Sequence, residues 1–115
     1  MITGIHHIAI ISSTEKSVDF YKHLGFEEIF SKKREYDTIV LLEGYGIQLE
    51  MFIDSNHPER SVNPEMIGLR HLALKVDSCE EMSKTFKCGP IKKDWLGVSF
   101  CYTEDPDGLP IEFHE

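Results

Sequence analysis

Cysteine is scarce in this chain. Cys79, Cys88 and Cys101 are odd in number and have no CxxC spacing. A disulfide framework is therefore not expected, and the pattern suits reduced thiols in a cytoplasmic protein. Cys101 lies in an apolar strand pattern, which points to packing rather than nucleophilic chemistry. Positive charge is short as well. Twelve Lys and Arg face twenty Asp and Glu, for a net charge of −8. That weighs against nucleic acid as a partner, because phosphate binding needs clustered cations. The densest basic run, Lys32-Lys33-Arg34, reads as a solvated hairpin tip. Long apolar runs are missing too, and no basic segment leads into one. Neither a membrane span nor a signal peptide is expected.

What the chain does have is a repeat. Gly4-Ile5-His6-His7-Ile8-Ala9-Ile10 returns as Gly68-Leu69-Arg70-His71-Leu72-Ala73-Leu74. Leu49-Glu50-Met51 returns as Ile111-Glu112-Phe113. Glu50 follows His7 by 43 positions, and Glu112 follows His71 by 41. The 115 residues suit one folding unit. It reads as module 1 over about 1–55, a linker over about 56–67 and module 2 over about 68–115.

Each module reads β-α-β-β-β. In the first, a strand over about 4–12 precedes Ser12-Ser13-Thr14, a helix start, and the helix runs to about Leu24 before Gly25 stops it. Strands follow near 26–32, 36–43 and 46–53, with Glu43-Gly44-Tyr45-Gly46 turning between the last two. The second module has a strand near 69–76, a helix near 78–87 capped by Asp77 or Ser78, and strands near 90–94, 97–104 and 109–114. Asp105-Pro106-Asp107-Gly108 is a turn signal. The fold class is α+β, two βαβββ modules forming a cupped, curved mixed sheet.

Side chains alternate along a strand. His7, Ala9 and Ile11 share one face, and His71, Ala73 and Lys75 match them. Glu50 and Glu112 sit between apolar neighbours mid-strand, where an unpaired carboxylate is costly to bury. A divalent cation would stabilise both carboxylates and accept the imidazoles. His6 faces away from His7 and reads as packed or capped near the helix. His23 suits a helix end, His57 falls in the linker, and His114 shares a face with Glu112. Tyr36, Tyr45, Trp95, Phe100 and Tyr102 read as core, interface or pocket wall.

Three stretches carry a family resemblance: Ile5-His6-His7-Ile8-Ala9-Ile10, then Ser17-Val18-Asp19-Phe20-Tyr21 with Leu24-Gly25-Phe26, and Asp105-Pro106-Asp107-Gly108-Leu109-Pro110-Ile111-Glu112. With them the chain resembles the vicinal oxygen chelate superfamily, also called the glyoxalase/bleomycin-resistance/dioxygenase superfamily. The stretch from Pro64-Glu65 to Leu74 is similar to a small stand-alone bacterial glyoxalase I-like subgroup. The resemblance implies one divalent ion (Ni, Co, Zn, Mn or Fe) held by His7, Glu50, His71 and Glu112. It implies a small-molecule substrate with vicinal oxygens and a glyoxalase I-like lyase or isomerase reaction. There a proton is taken next to a carbonyl, a metal-chelated enediolate forms, and a ligand glutamate moves the proton. Glu112 is expected to be the base and Glu50 the more passive ligand, since Glu112 lies near the chain end and His114. Family members pair their modules within one chain or between two, and a homodimer is expected.

The resemblance also has gaps. Short bacterial glyoxalase I proteins carry an arginine four residues after the first ligand histidine and an asparagine four residues after the first ligand glutamate. Here those places hold Ile11 and Asp54. Neither holds a glutathione carboxylate, so the substrate is expected not to be a glutathione adduct. Two alternatives remain. One is a metal-free drug-sequestering protein of bleomycin-resistance type. The other is a fosfomycin-type thiol transferase, against which the fourth ligand and the few basic residues count.

Overall fold

The computed structural model describes all 115 residues, Met1–Glu115. Contacts divide the chain into Met1–Glu59 and Arg60–Glu115, each with its own mixed four-stranded sheet and one helix. The first unit contains β1 (Ile8–Ser12), α1 (Lys16–His23), β2 (Glu27–Lys33), β3 (Thr38–Gly44) and β4 (Ile47–Ile53). Its strand order is β1-β4-β3-β2, with β1 parallel to β4 and the other pairs antiparallel. The second contains β5 (Leu72–Lys75), α2 (Cys79–Thr85), β6 (Lys92–Lys93), β7 (Ser99–Glu104) and β8 (Pro110–His114). Its order, β5-β8-β7-β6, repeats the same topology.

In both sheets one face meets the helix and the other carries the polar residues of interest. Along β4, Leu49, Met51 and Ile53 are buried while Gln48, Glu50 and Phe52 are half-buried. Helix α1 lies against β3 and contributes Val18 and the fully buried Tyr21. Along β8, Ile111 and Phe113 are fully buried while Pro110, Glu112 and His114 are half-buried. Each large apolar side chain buried this way contributes about 1.5–3 kcal/mol. Helix α2 covers that face from β7 to β8, with Cys79 buried at its start.

The helix ends follow from local chemistry. Ser78 caps α2 by accepting the Glu81 N–H at 3.1 Å. At α1 the Thr14 hydroxyl accepts the Lys16 N–H at 3.2 Å, while the Ser12 and Ser17 hydroxyls bond to each other at 2.6 Å. Gly25 ends α1 at φ 110°, and the Phe26 N–H reaches back to the Tyr21 carbonyl. Tyr45 and Gly46 form the β3–β4 turn with φ 55° and 76°, the signature of a type I′ hairpin. The Tyr45 hydroxyl donates to the Leu24 carbonyl at 2.5 Å. A Cβ on Gly25 would sit 2.1 Å from that hydroxyl oxygen. Gly25→Ala therefore combines backbone strain with a clash, and its expected cost is about 1–3 kcal/mol. Urea unfolding followed by circular dichroism checks this; an unchanged midpoint would refute it.

β1, β5 and β6 are much shorter than their patterns predict, and β5 spans only Leu72–Lys75 rather than about 69–76. β1 begins at Ile8, because Gly4–His7 has no strand partner in the chain. β6 has two residues, because Asp94 turns the chain by accepting the Leu96 and Val98 N–H groups at 2.8 and 2.9 Å. Trp95 stands exposed in that turn, and Tyr36 and Tyr45 are exposed as well. These three are surface residues, contrary to the core reading of the aromatics. No helix is long and apolar enough to cross a membrane.

Candidate metal centre

In the first unit β1 is an edge strand and β4 is central. Ala9 pairs with Glu50 in parallel register. His7, two residues earlier on the same face, brings its Nε2 to 3.0 Å from Glu50 Oε2. The second unit repeats the device. Ala73 pairs with Glu112, and His71 Nε2 lies 3.6 Å from Glu112 Oε1. The structure thus forms two His–Glu pairs, one per unit, at the same register. Neither unit by itself gathers three such donors.

The imidazoles are oriented alike. Each turns Nε2 toward its glutamate and Nδ1 away. His7 Nδ1 lies 2.9 Å from His6 Nδ1, and His71 Nδ1 lies 3.4 Å from an Arg70 guanidinium nitrogen. An Nε2 beside a carboxylate oxygen is a suitable donor pair for a borderline divalent ion. His6 differs from expectation. It is exposed, and its ring meets His7 edge-on at 5.1 Å rather than packing near the helix. Both histidines precede Ile8, the first paired residue, and it is the contact with Glu50 that fixes the face of His7.

The two glutamates have different surroundings. The Tyr102 hydroxyl donates to Glu112 Oε1 at 2.7 Å. Burial raises the Tyr102 pKa, and the Glu112 carboxylate raises it further, so the phenol stays a donor. Tyr102 pairs with Glu112 across β7–β8, and its ring meets His71 edge-on at 5.3 Å. Opposite Glu50 the corresponding position is Leu41, which offers no donor. From sequence Tyr102 reads as core, interface or pocket wall; its bond to Glu112 needs the β7–β8 register, which sequence does not supply.

The other candidates are committed elsewhere. His114 Nε2 pairs with Asp94 at 3.0 Å, and Nδ1 contacts the Glu115 carbonyl at 3.1 Å. Those two contacts, the carbonyl first, raise the His114 pKa. His57 contacts the Asp54 carbonyl, and His23 lies exposed in the last turn of α1. Arg34 is locked to Asp37 by two bonds of 2.6 and 2.7 Å and lies over Tyr36. Within the basic run, Arg34 is therefore engaged by the chain's own carboxylate. Burial raises the pKa of all three thiols, which disfavours the reactive thiolate.

The chain as a whole has relatives among known proteins. The family model described as Glyoxalase/Bleomycin resistance protein/Dioxygenase superfamily matches residues 4–113. The chain belongs to the glyoxalase/bleomycin resistance protein/dioxygenase superfamily. Within it, YwkD of Bacillus subtilis (strain 168) is 41% identical over 100% of this chain and 98% of its own length. A solved glyoxalase family protein from Enterococcus faecalis superposes with a TM-score of 0.89 at 35% identity, covering 97% of both chains. The superfamily fold is also seen in FosX, a fosfomycin resistance protein from Listeria monocytogenes. Its E126Q mutant, solved with Mn(II) and 1S,2S-dihydroxypropylphosphonic acid, gives a TM-score of 0.73 at 21% identity over 99% of this chain and 93% of that one.

Proposed function

We propose that this protein is a metal-dependent lyase or isomerase of glyoxalase type. It removes a proton next to a carbonyl in a small substrate with two adjacent oxygens, and that substrate is not a glutathione adduct. The observation that carries this reading is the repeated His–Glu pair, at 3.0 Å in one unit and 3.6 Å in the other. One divalent ion, drawn from Ni, Co, Zn, Mn or Fe, takes His7, Glu50, His71 and Glu112 as ligands. When bound, the ion supplies a Lewis acid for the substrate oxygens. FosX, with Mn(II), supports metal use by this fold.

The chain's own residues divide the remaining work. Tyr102 holds Glu112 in place, whereas Leu41 opposite Glu50 offers no donor. The His114 imidazole is bonded to Asp94 rather than to Glu112. These contacts favour Glu50 as the carboxylate that moves the proton, and Glu112 as the fixed ligand. This reverses the roles expected from the position of Glu112 near the chain end.

Metal-loaded protein in D₂O should exchange the C–H beside the carbonyl of hydroxyacetone or dihydroxyacetone, read by proton NMR. Glu50→Gln is expected to slow exchange by roughly 10²–10⁴-fold, the usual contribution of a positioned base, and Glu112→Gln by less. The opposite order with metal retained would restore Glu112 as the base. No exchange by the metal-loaded wild type would overturn the proposed chemistry.

The proposed assembly is a homodimer. β1 and β5 are edge strands, and Ile5, Met66, Ile67 and Leu69 are largely exposed. Open edges and apolar patches favour association. Light scattering is expected to give twice the 13.3 kDa chain mass; a single-chain mass across the micromolar range would refute it.

A further inference from the structure

The second unit carries a hollow of about 320 Å³ lined by Arg70, Gly89, Pro90, Lys92, Phe100 and Tyr102. That is the lower end of the range for small-molecule sites. Two cations line it and no carboxylate does, although the chain as a whole carries −8. Lys92, together with the part of the Arg70 charge that Glu65 leaves uncompensated, makes a local field for an anion over these walls.

The sheet register builds this hollow. Lys92 pairs with Phe100 across β6–β7, and Tyr102 lies two residues further along the same face. Arg70 comes immediately before His71. Its Nε donates to Glu65 at 2.7 Å, and Nη1 lies 3.4 Å from both the Tyr102 hydroxyl and His71 Nδ1. None of these contacts uses Nη2. Gly89 is held to β7 by its N–H, which donates to the Tyr102 carbonyl at 2.9 Å.

We propose that Arg70 and Lys92 form an anion subsite that holds the carboxylate of a small substrate against the Phe100 and Tyr102 rings, beside His71 and Glu112. Glu65 already balances part of the Arg70 charge, so the pair matches one negative charge rather than two. The implied class is an α-hydroxy or α-keto acid, whose second oxygen lies on the carbon next to the carboxylate. This deepens the proposed function and rests on it for the chemistry at that second oxygen, while the anion contact stands on Arg70 and Lys92 alone.

The test is an amide NMR titration of the full chain with lactate, in the chelator-treated and the Zn-loaded forms. Lactamide serves as the neutral control and methylphosphonate as the alternative anion. Lactate is expected to shift Gly89, Lys92, Phe100 and Tyr102 in both forms. Arg70→Gln and Lys92→Gln should each raise its Kd roughly tenfold, the loss of one charge-assisted hydrogen bond. Lys92 is exposed on a two-residue strand, so its variant keeps the test valid if Arg70→Gln misfolds.

Equal binding of lactamide, an unchanged Kd in Lys92→Gln, or no shifts at tens of millimolar lactate would overturn the subsite. Much tighter binding of methylphosphonate would overturn the carboxylate assignment. Lactate binding only to the Zn form, and unaffected by either variant, would place the anion on the metal and reject the subsite alone. Variant-sensitive lactate binding without any Zn uptake would support the subsite and reject the metal chemistry.

Discussion

Replacing His71 or Glu112 by alanine is expected to weaken divalent-metal binding by tenfold or more. Changes one shell further out already cost roughly 10–100-fold, and these two side chains are proposed to touch the ion. The expectation comes from geometry. His71 Nε2 and Glu112 Oε1 lie 3.6 Å apart on neighbouring strands, with Tyr102 holding the carboxylate. Glu112→Ala removes an oxygen ligand and leaves the Tyr102 hydroxyl without its partner. His71→Ala removes a nitrogen ligand and the ring that Tyr102 meets edge-on. Equilibrium dialysis with elemental analysis measures the affinity, and circular dichroism shows that each variant is folded. Full retention of metal in both folded variants would sink the ligand assignment. The His7 and Glu50 variants extend the same test to the first unit.

The hemithioacetal of methylglyoxal and glutathione is expected to be a poor substrate. Ile11 is exposed on the face that carries His7, where the short bacterial enzymes have an arginine. It cannot form a bidentate bond to a carboxylate. Asp54 adds a negative charge, and its Oδ1 already accepts the Asn56 N–H at 3.0 Å. Losing one charge-assisted anchor costs about 1.5–3 kcal/mol, and a repelling carboxylate adds to that. Steady-state assays on the Ni, Co and Zn forms are expected to give a kcat/KM below the ordinary range of about 10⁴–10⁸ M⁻¹s⁻¹. A value inside that range would show that these two positions are not needed.

The repeat in the sequence is legible because duplication keeps register. Ala9 opposite Glu50 and Ala73 opposite Glu112 are the same pairing, and the shared spacing of His and Glu anticipates it. What the pattern does not show is who pairs with whom. Apolar alternation marks a face without naming a neighbour, so the strand containing His7 reads four residues longer than β1 is. The bond from Tyr102 to Glu112 and the placing of Lys92 beside Phe100 in one hollow with Arg70 depend on β6–β7–β8 register. Trp95 reads as apolar and is exposed, because Asp94 takes two backbone N–H groups and turns the chain outward there.

The three thiols, two buried and one half-buried, have a practical consequence for metal analysis. Burial holds Cys79, Cys88 and Cys101 toward the protonated form, and a protonated thiol is a poor ligand for soft metals. At neutral pH these sulfurs should not scavenge Zn or Ni during purification. A measured stoichiometry is then expected to report metal on the proposed histidine–carboxylate ligands rather than on sulfur. Thiol-blocking reagents can therefore serve as a control, since treating the folded protein with one should leave its metal content unchanged.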